Sequence, residues 1–273
     1  MRTAPISLHA RRSFLALSLC IATSISFAQT SEFKPEVGQA GKDVVWVPTS
    51  QSLVDKMLDM AKVTANDYVI DLGSGDGRTV ITAAKRGARA HGIEYNPDMV
   101  ELSKKNADKE GVAGRATFAK ADIFESDFSQ ATVITLFLLP QLNLKLRPQI
   151  LALKPGTRVV SNSFTMGEWQ DDETFTLDAR DSCNYWCVAH YWLVPAKVEG
   201  TWRTSFGELT LNQTFQMLEG SVRGSAGLVK VTGRLRGDQI TLTAGTTNYT
   251  GKVNGNAMEG MSGSVGWSGN KLK

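Results

Sequence analysis

From Leu53 to Ala61 the apolar residues Leu53, Val54, Met57, Leu58 and Ala61 recur at three- and four-residue steps. That spacing lines one face of a helix, with Ser50 or Ser52 placed to cap its start. An alternation of short apolar runs and longer amphipathic ones follows. YVIDLG at 68–73 reads as a buried strand and RTVITAAKRG at 78–87 as a helix closed by Gly87. RAHGIEY at 89–95 is a strand, and PDMVELSKKNADKEG at 97–111 is a helix opened by Pro97 and closed by Gly111. ATFAKAD at 116–122 and ATVITLFLL at 131–139 are strands. NLKLRPQILALKPG at 143–156 is a helix, RVVSNSF at 158–164 a further strand, and NYWCVAHYWLVPA at 184–196 an antiparallel edge strand. Strands separated by helices of this length predict right-handed crossovers and a parallel sheet covered on both faces.

Beyond Pro195 the texture changes. Residues 200–273 show no helical period, and the pattern G-x-V/L-x-G recurs in GSVRG (220–224), GRLRG (233–237) and GKVNG (251–255). Short β-prone runs between glycines predict hairpin units of one small antiparallel sheet or barrel, read as a stabilising or interaction appendage. The predicted fold is therefore α/β, a Rossmann-like doubly wound, mostly parallel sheet over residues 43–196, with a C-terminal antiparallel β module over 200–273.

The first 28 residues stand apart. Arg2, Arg11 and Arg12 precede the apolar run FLALSLCIATSISFA, which ends in Ser26-Phe27-Ala28, a small-x-small cleavage pattern. Residues 1–28 read as a signal peptide with a periplasmic or secreted destination, Arg11-Arg12 before Ser-Phe-Leu allowing either the twin-arginine or the general route. Residues 29–42 read as a flexible polar leader. The full chain carries 30 basic and 27 acidic residues, and losing a segment with three basic and no acidic residues leaves 27 of each. The basic excess belongs to the signal, so charge gives no support to a nucleic-acid partner or a stable membrane contact after cleavage. Cys183 and Cys187 remain; they bridge if the segment between them turns and not if it is extended. His91 and His190 stand too far apart in sequence for metal-ligand spacing, and no metal is expected.

Candidate chemistry concentrates at VIDLGSGDGR, residues 69–78. A strand that ends in Asp71 and turns through Gly73, Ser74 and Gly75 into a helix brings backbone close to a ligand and aims free N–H groups at it. Glu94 ends the next strand, 19 residues beyond Gly75, where a carboxylate takes both hydroxyls of a ribose. Asp122 ends the strand after that, placed to accept from an adenine amino group. Three acidic strand ends repel phosphate, and Gly77 falls one place early for the dinucleotide pattern, whose third position is Arg78. A nucleoside bearing a sulfonium and an amino group fits better.

With these residues in view, the chain resembles the class I S-adenosylmethionine-dependent methyltransferases. Among them it is similar to bacterial relatives of the lysine methyltransferases that modify the mitochondrial ATP synthase c-subunit and the adenine nucleotide translocase. The resemblance runs from about Val44 to Trp169 and is carried by VWVPTSQSLVDKML, YVIDLGSGDGR, GIEYNPDMV, KADIF, TLFLLPQLNLKLRP and LKPGTRVVS. It implies S-adenosyl-L-methionine as cofactor, with Asp71, Gly73, Ser74 and Gly75 at the methionine end, Glu94 on the ribose and Asp122 with Ile123 at the adenine. It also implies that Tyr95 and Asn96 flank the ribose while Pro48 and Thr49 cover the cofactor. Pro140 and Gln141 end the fourth strand, where this fold presents acceptors, and are the catalytic candidates beside the plain reading of a helix entry. Tyr185, Trp186, Tyr191 and Trp192 read as packing residues before they read as an acceptor cage, and Tyr68 and His91 as structural. The expected function is an exported methyltransferase whose acceptor is a protein, with lysine the residue suggested by the resemblance, or a small molecule. The alternative is a non-catalytic adenosine-ligand binding protein, or a scaffold acting through the β module.

Overall fold

A computed structural model describes residues 1–4, 33–178, 183–225 and 227–272. The expected signal peptide beyond its first four residues, with Arg11, Arg12 and the Ser26-Phe27-Ala28 pattern, lies outside the described residues, as does the leader up to position 32. The elements are α1 (Gln51–Met60), β1 (Tyr68–Leu72), α2 (Arg78–Lys85), β2 (Arg89–Glu94), α3 (Pro97–Lys109), β3 (Ala116–Lys120), β4 (Val133–Leu136), α4 (Pro140–Leu151), β5 (Arg158–Asn162), β6 (Glu173–Thr176) and β7 (Val188–Leu193). Then come β8 (Gly200–Thr204), β9 (Gly207–Thr214), β10 (Met217–Gly224), β11 (Gly227–Arg236), β12 (Gln239–Ala244), β13 (Thr247–Asn254), β14 (Ala257–Ser262) and β15 (Val265–Lys271).

The first sheet has the order β3-β2-β1-β4-β5-β7-β6, parallel through β5 and antiparallel at β7 and β6. Period-two alternation sends Val69 of β1 to one face and Ile70 and Leu72 to the other. Apolar stripes of α1, α2 and α3 close the first face, through Leu53, Val54, Met57, Leu58, Val80 and Val100. Leu142, Leu146 and Ile150 of α4 close the second, with Trp169 and Trp192. Central strands buried on both faces read as the continuous apolar runs seen in the sequence.

Three features differ from the sequence reading. β7 is not the edge: Glu173–Thr176 pairs outside it as β6, all four residues exposed, so no buried apolar period announced it. The segment 183–187 is not strand but a turn, closed by a Cys183–Cys187 disulfide with Cα atoms 5.8 Å apart. Helix α4 starts at Pro140, three residues earlier than predicted, because proline suits the first helical turn.

Strands β8 to β15 close an antiparallel barrel around Trp202, Leu209, Leu211, Leu235, Ile240 and Trp267. The glycine repeat has a packing cause. At the first glycine of each repeat a Cβ would meet a carbonyl oxygen across the ladder: Thr210 at 1.9 Å from Gly220, Thr241 at 2.3 Å from Gly233 and Glu259 at 2.4 Å from Gly251. Glycine is the residue that lets neighbouring strands coil this closely. The barrel is tied to the sheet by ion pairs from Arg234 to Asp172 (2.6 Å) and Arg236 to Glu173 (2.6 Å). Phe215 also stacks on Trp169, with ring centroids 6.2 Å apart.

Candidate active site

At the carboxyl ends of β1, β2, β3 and β4 the sheet opens into a cavity of about 210 Å³, the place where ligands bind in open α/β sheets. Its loop is built by backbone bonding. The Gly73 and Ser74 amides both donate to the Ile93 carbonyl (2.9 and 3.1 Å), folding the chain back over β2. Gly77 then turns into α2 at φ +82°. Gly75 has φ +54°, and a Cβ there would lie 2.7 Å from Trp46 Nε1, so both conformation and space demand glycine. Ser103 Oγ donates to the Gly75 carbonyl (2.8 Å) and Asn106 Nδ2 to that of Asp76 (3.0 Å), anchoring the loop to α3.

Each acid has a distinct setting. Glu94 accepts from the Gly75 amide at Oε2 (3.0 Å) and the Asn96 amide at Oε1 (2.9 Å), which fixes its carboxylate at the cavity wall. Asp71 is buried and accepts from Thr135 Oγ1 at 2.6 Å. Burial pushes its pKa up to about 7, the Thr135 bond opposing and the charges of Glu94 and Asp76 assisting. Asp122 accepts from Lys42 Nζ (2.7 Å) and the Phe124 amide (2.9 Å), and both bonds hold its carboxyl below the usual range.

All the predicted cofactor residues line this cavity: Pro48, Thr49, Asp71, Gly73, Ser74, Gly75, Glu94, Tyr95, Asn96, Asp122 and Ile123. Pro140 and Gln141 do not. They begin α4, where the helix turns Leu142 and Leu146 inward and leaves its first two side chains toward solvent. Leu138, Leu139 and Leu142 form that wall instead. The aromatic group divides: Tyr191 and Trp192 are core, whereas Trp186 lines the cavity with Phe137 and Phe164.

Several lining residues escaped the sequence reading. The segment 38–46 folds back on itself through Gly38 N to Trp46 O (2.8 Å) and Trp46 N to Gln39 O (2.9 Å), bringing Lys42 and Trp46 to the cavity. Arg78 pairs with Asp76 (2.6 Å) and donates to the Thr49 carbonyl (2.7 Å). Arg78 carries a signal in the sequence, as the basic residue directly after the glycine loop; a lysine in a polar leader carries none.

The cavity suits S-adenosylmethionine by its own chemistry. The Ser74 hydroxyl is buried without a partner, the glycines leave a cradle that a Cβ would fill, and the strand-end acids match hydroxyls and cationic groups. Fold and cavity together define an S-adenosylmethionine-dependent methyltransferase of the doubly wound class. The family model described as ANTKMT methyltransferase domain matches residues 71–173. A protein-lysine N-methyltransferase of Saccharolobus islandicus is 45% identical over 138 residues, covering 50% of this chain and 86% of that protein. The human (Homo sapiens) lysine N-methyltransferase of the ATP synthase c-subunit is 36% identical over 128 residues, covering 46% of this chain and 54% of that protein. The chain thus spans only about half the length of this second relative. The crystal structure of an RNA methyltransferase from Salinibacter ruber in complex with S-adenosyl-L-homocysteine superposes with a TM-score of 0.52 at 46% identity, covering 56% of this chain and 96% of that one. The chain belongs to the family of the Saccharolobus islandicus protein-lysine N-methyltransferase, and its cofactor is S-adenosyl-L-methionine.

Proposed function

We propose that this chain methylates a lysine amine of a protein, and that it does so after export. The observation that carries the acceptor reading is the apolar part of the cavity wall, which includes Leu138, Leu139, Leu142, Phe137 and Phe164. When bound, S-adenosylmethionine supplies a methyl group on a positively charged sulfur. A neutral acceptor nitrogen would take that methyl with release of S-adenosylhomocysteine, and the proton lost in forming the neutral amine would pass to solvent. Asp71, Gly73, Ser74, Gly75 and Glu94, which line the cavity, would hold the donor, with Asp71 at its methionine end. A lysine amine attacks only when neutral, and its ordinary pKa is about 10.4. The apolar wall disfavours the charged form and so supplies the neutral amine, and it excludes water from the transfer. The protein's contribution is alignment and desolvation, with no covalent enzyme intermediate.

The likeness to the Salinibacter ruber RNA methyltransferase favours a second reading, an RNA acceptor. Labelled cofactor incubated with the protein and cell extracts separates the two. Label removed by protease and resistant to ribonuclease supports the lysine reading; the reverse supports RNA. Export rests on the Arg2, Arg11 and Arg12 n-region and the apolar run behind it. Fractionation tests it: recovery of uncleaved chain in the cytoplasm alone overturns it. The division of labour between a catalytic region over 43–196 and a β module over 200–273 is part of the same proposal.

A further inference from the structure

Three aromatic rings meet at the wall of the cavity, and each comes from a different segment. Phe137 follows β4, Phe164 follows β5, and Trp186 lies in the turn before β7. Phe137 and Phe164 stack with centroids 6.1 Å apart, Trp186 lies 5.2 Å from Phe164 and 6.1 Å from Phe137, edge-on to the latter. Core packing does not account for this cluster, because Trp186 is 47% exposed. Its backbone is also unusual. Trp186 has φ +59°, a conformation that bulky residues rarely adopt and that persists only where the surroundings impose it. The Cys183–Cys187 disulfide closes the turn around it, and Trp186 lies against the two phenylalanines.

We propose that Phe137, Phe164 and Trp186 form the port through which the acceptor lysine reaches the cofactor, and that the Cys183–Cys187 bridge is the device that positions Trp186 in it. The proposal rests on the lysine reading above. Phe137 and Phe164 take the aliphatic stem of the side chain by apolar contact, and the exposed face of Trp186 attracts the cationic nitrogen at the rim, before it reaches the apolar wall. Trp186 is a positioning residue for the acceptor with no role toward the donor, because the donor's acids lie at the ends of β1, β2 and β3. The bridge acts only through Trp186. Reducing it releases Trp186 from the port and leaves the glycine loop and Glu94 as they are.

Calorimetric titration of Nα-acetyl-lysine methylamide into the oxidised protein saturated with S-adenosylhomocysteine tests this without turnover. Trp186→Ala is expected to weaken probe affinity by about tenfold or more, as for truncation of an aromatic anchor, while Trp186→Phe stays within about threefold of wild type. Cofactor affinity stays the same in both variants. Dithiothreitol is expected to weaken the probe in the wild type as Trp186→Ala does, and to have no further effect in the Trp186→Ala protein. The Cys183→Ser/Cys187→Ser double variant repeats the reduced state without reductant. No binding to the wild-type protein, or equal binding to Trp186→Ala, overturns the port; reductant acting equally on Trp186→Ala overturns the role of the bridge. Probe binding that depends on Trp186, in a protein that methylates no lysine in any extract, keeps the port and removes the lysine reading. Lysine methylation with KM unchanged in Trp186→Ala does the opposite.

Discussion

Asp71→Asn is expected to move stability and cofactor affinity in opposite directions. The carboxyl is buried, and its pKa stands at about 7 against an ordinary value of 3.8. Between these values the folded protein holds a proton that the unfolded chain has released, so stability is lost as pH rises from about 4 through 7. A rise of roughly three pKa units corresponds to an upper limit of about 4 kcal/mol above pH 7. Asparagine keeps the shape and an oxygen that accepts from Thr135 Oγ1, and it carries no charge to desolvate. The ligand-free variant is therefore more stable than wild type at pH 8, by about 2–4 kcal/mol, and equal to it below about pH 4. If Asp71 contacts the cofactor as proposed, the same change removes an anionic partner, and affinity should fall by about 1.5–3 kcal/mol. Denaturant unfolding at about pH 4 and 8 gives the first quantity and calorimetric titration the second. Titration near pH 6 in buffers of different ionisation enthalpy adds a third: the wild type releases more protons on binding than Asp71→Asn. A variant less stable than wild type at pH 8 would overturn the assignment of a desolvated carboxyl, and equal affinity in the two proteins would remove Asp71 from the cofactor.

Glu94→Ala should weaken cofactor binding by about 1.5–3 kcal/mol in the same titration, since a charge-assisted acceptor is lost. It also frees the Gly75 and Asn96 amides, so hydrogen exchange at these two positions should rise. Gly75→Val should abolish binding with the sheet intact by circular dichroism, because its Cβ meets Trp46 Nε1 at 2.7 Å. Gln141→Ala should leave transfer and binding near wild type, because Gln141 is exposed and outside the cavity; a selective loss of transfer would return it to the acceptor site.

What could be read before the fold was known followed from periodicity and from turn chemistry. The parallel core was readable because β1, β4 and β5 are short apolar runs set between amphipathic helices, and the acids at 71, 94 and 122 were readable because each ends such a run or the strand beside it. β6 was hidden because an exposed edge strand buries no alternate residues. Lys42 and Trp46 were hidden, and Trp186 was read as packing before acceptor cage, for another reason. Their places depend on loops held by long-range contacts or a disulfide, and local pattern carries no trace of a contact that closes only in the fold. Gln141 was misplaced by extending β4 to its apolar limit, when Pro140 had already started the helix.

The most direct test of the acceptor is amino-acid analysis of the product. Protein labelled by methyl transfer from S-adenosylmethionine in periplasmic and membrane extracts is hydrolysed, and the labelled amino acid is identified, with Asp71→Asn enzyme as the control. Label is expected in ε-N-methylated lysine, and in reduced amount with Asp71→Asn at limiting cofactor. Label in any other amino acid, or in RNA, would contradict lysine methylation.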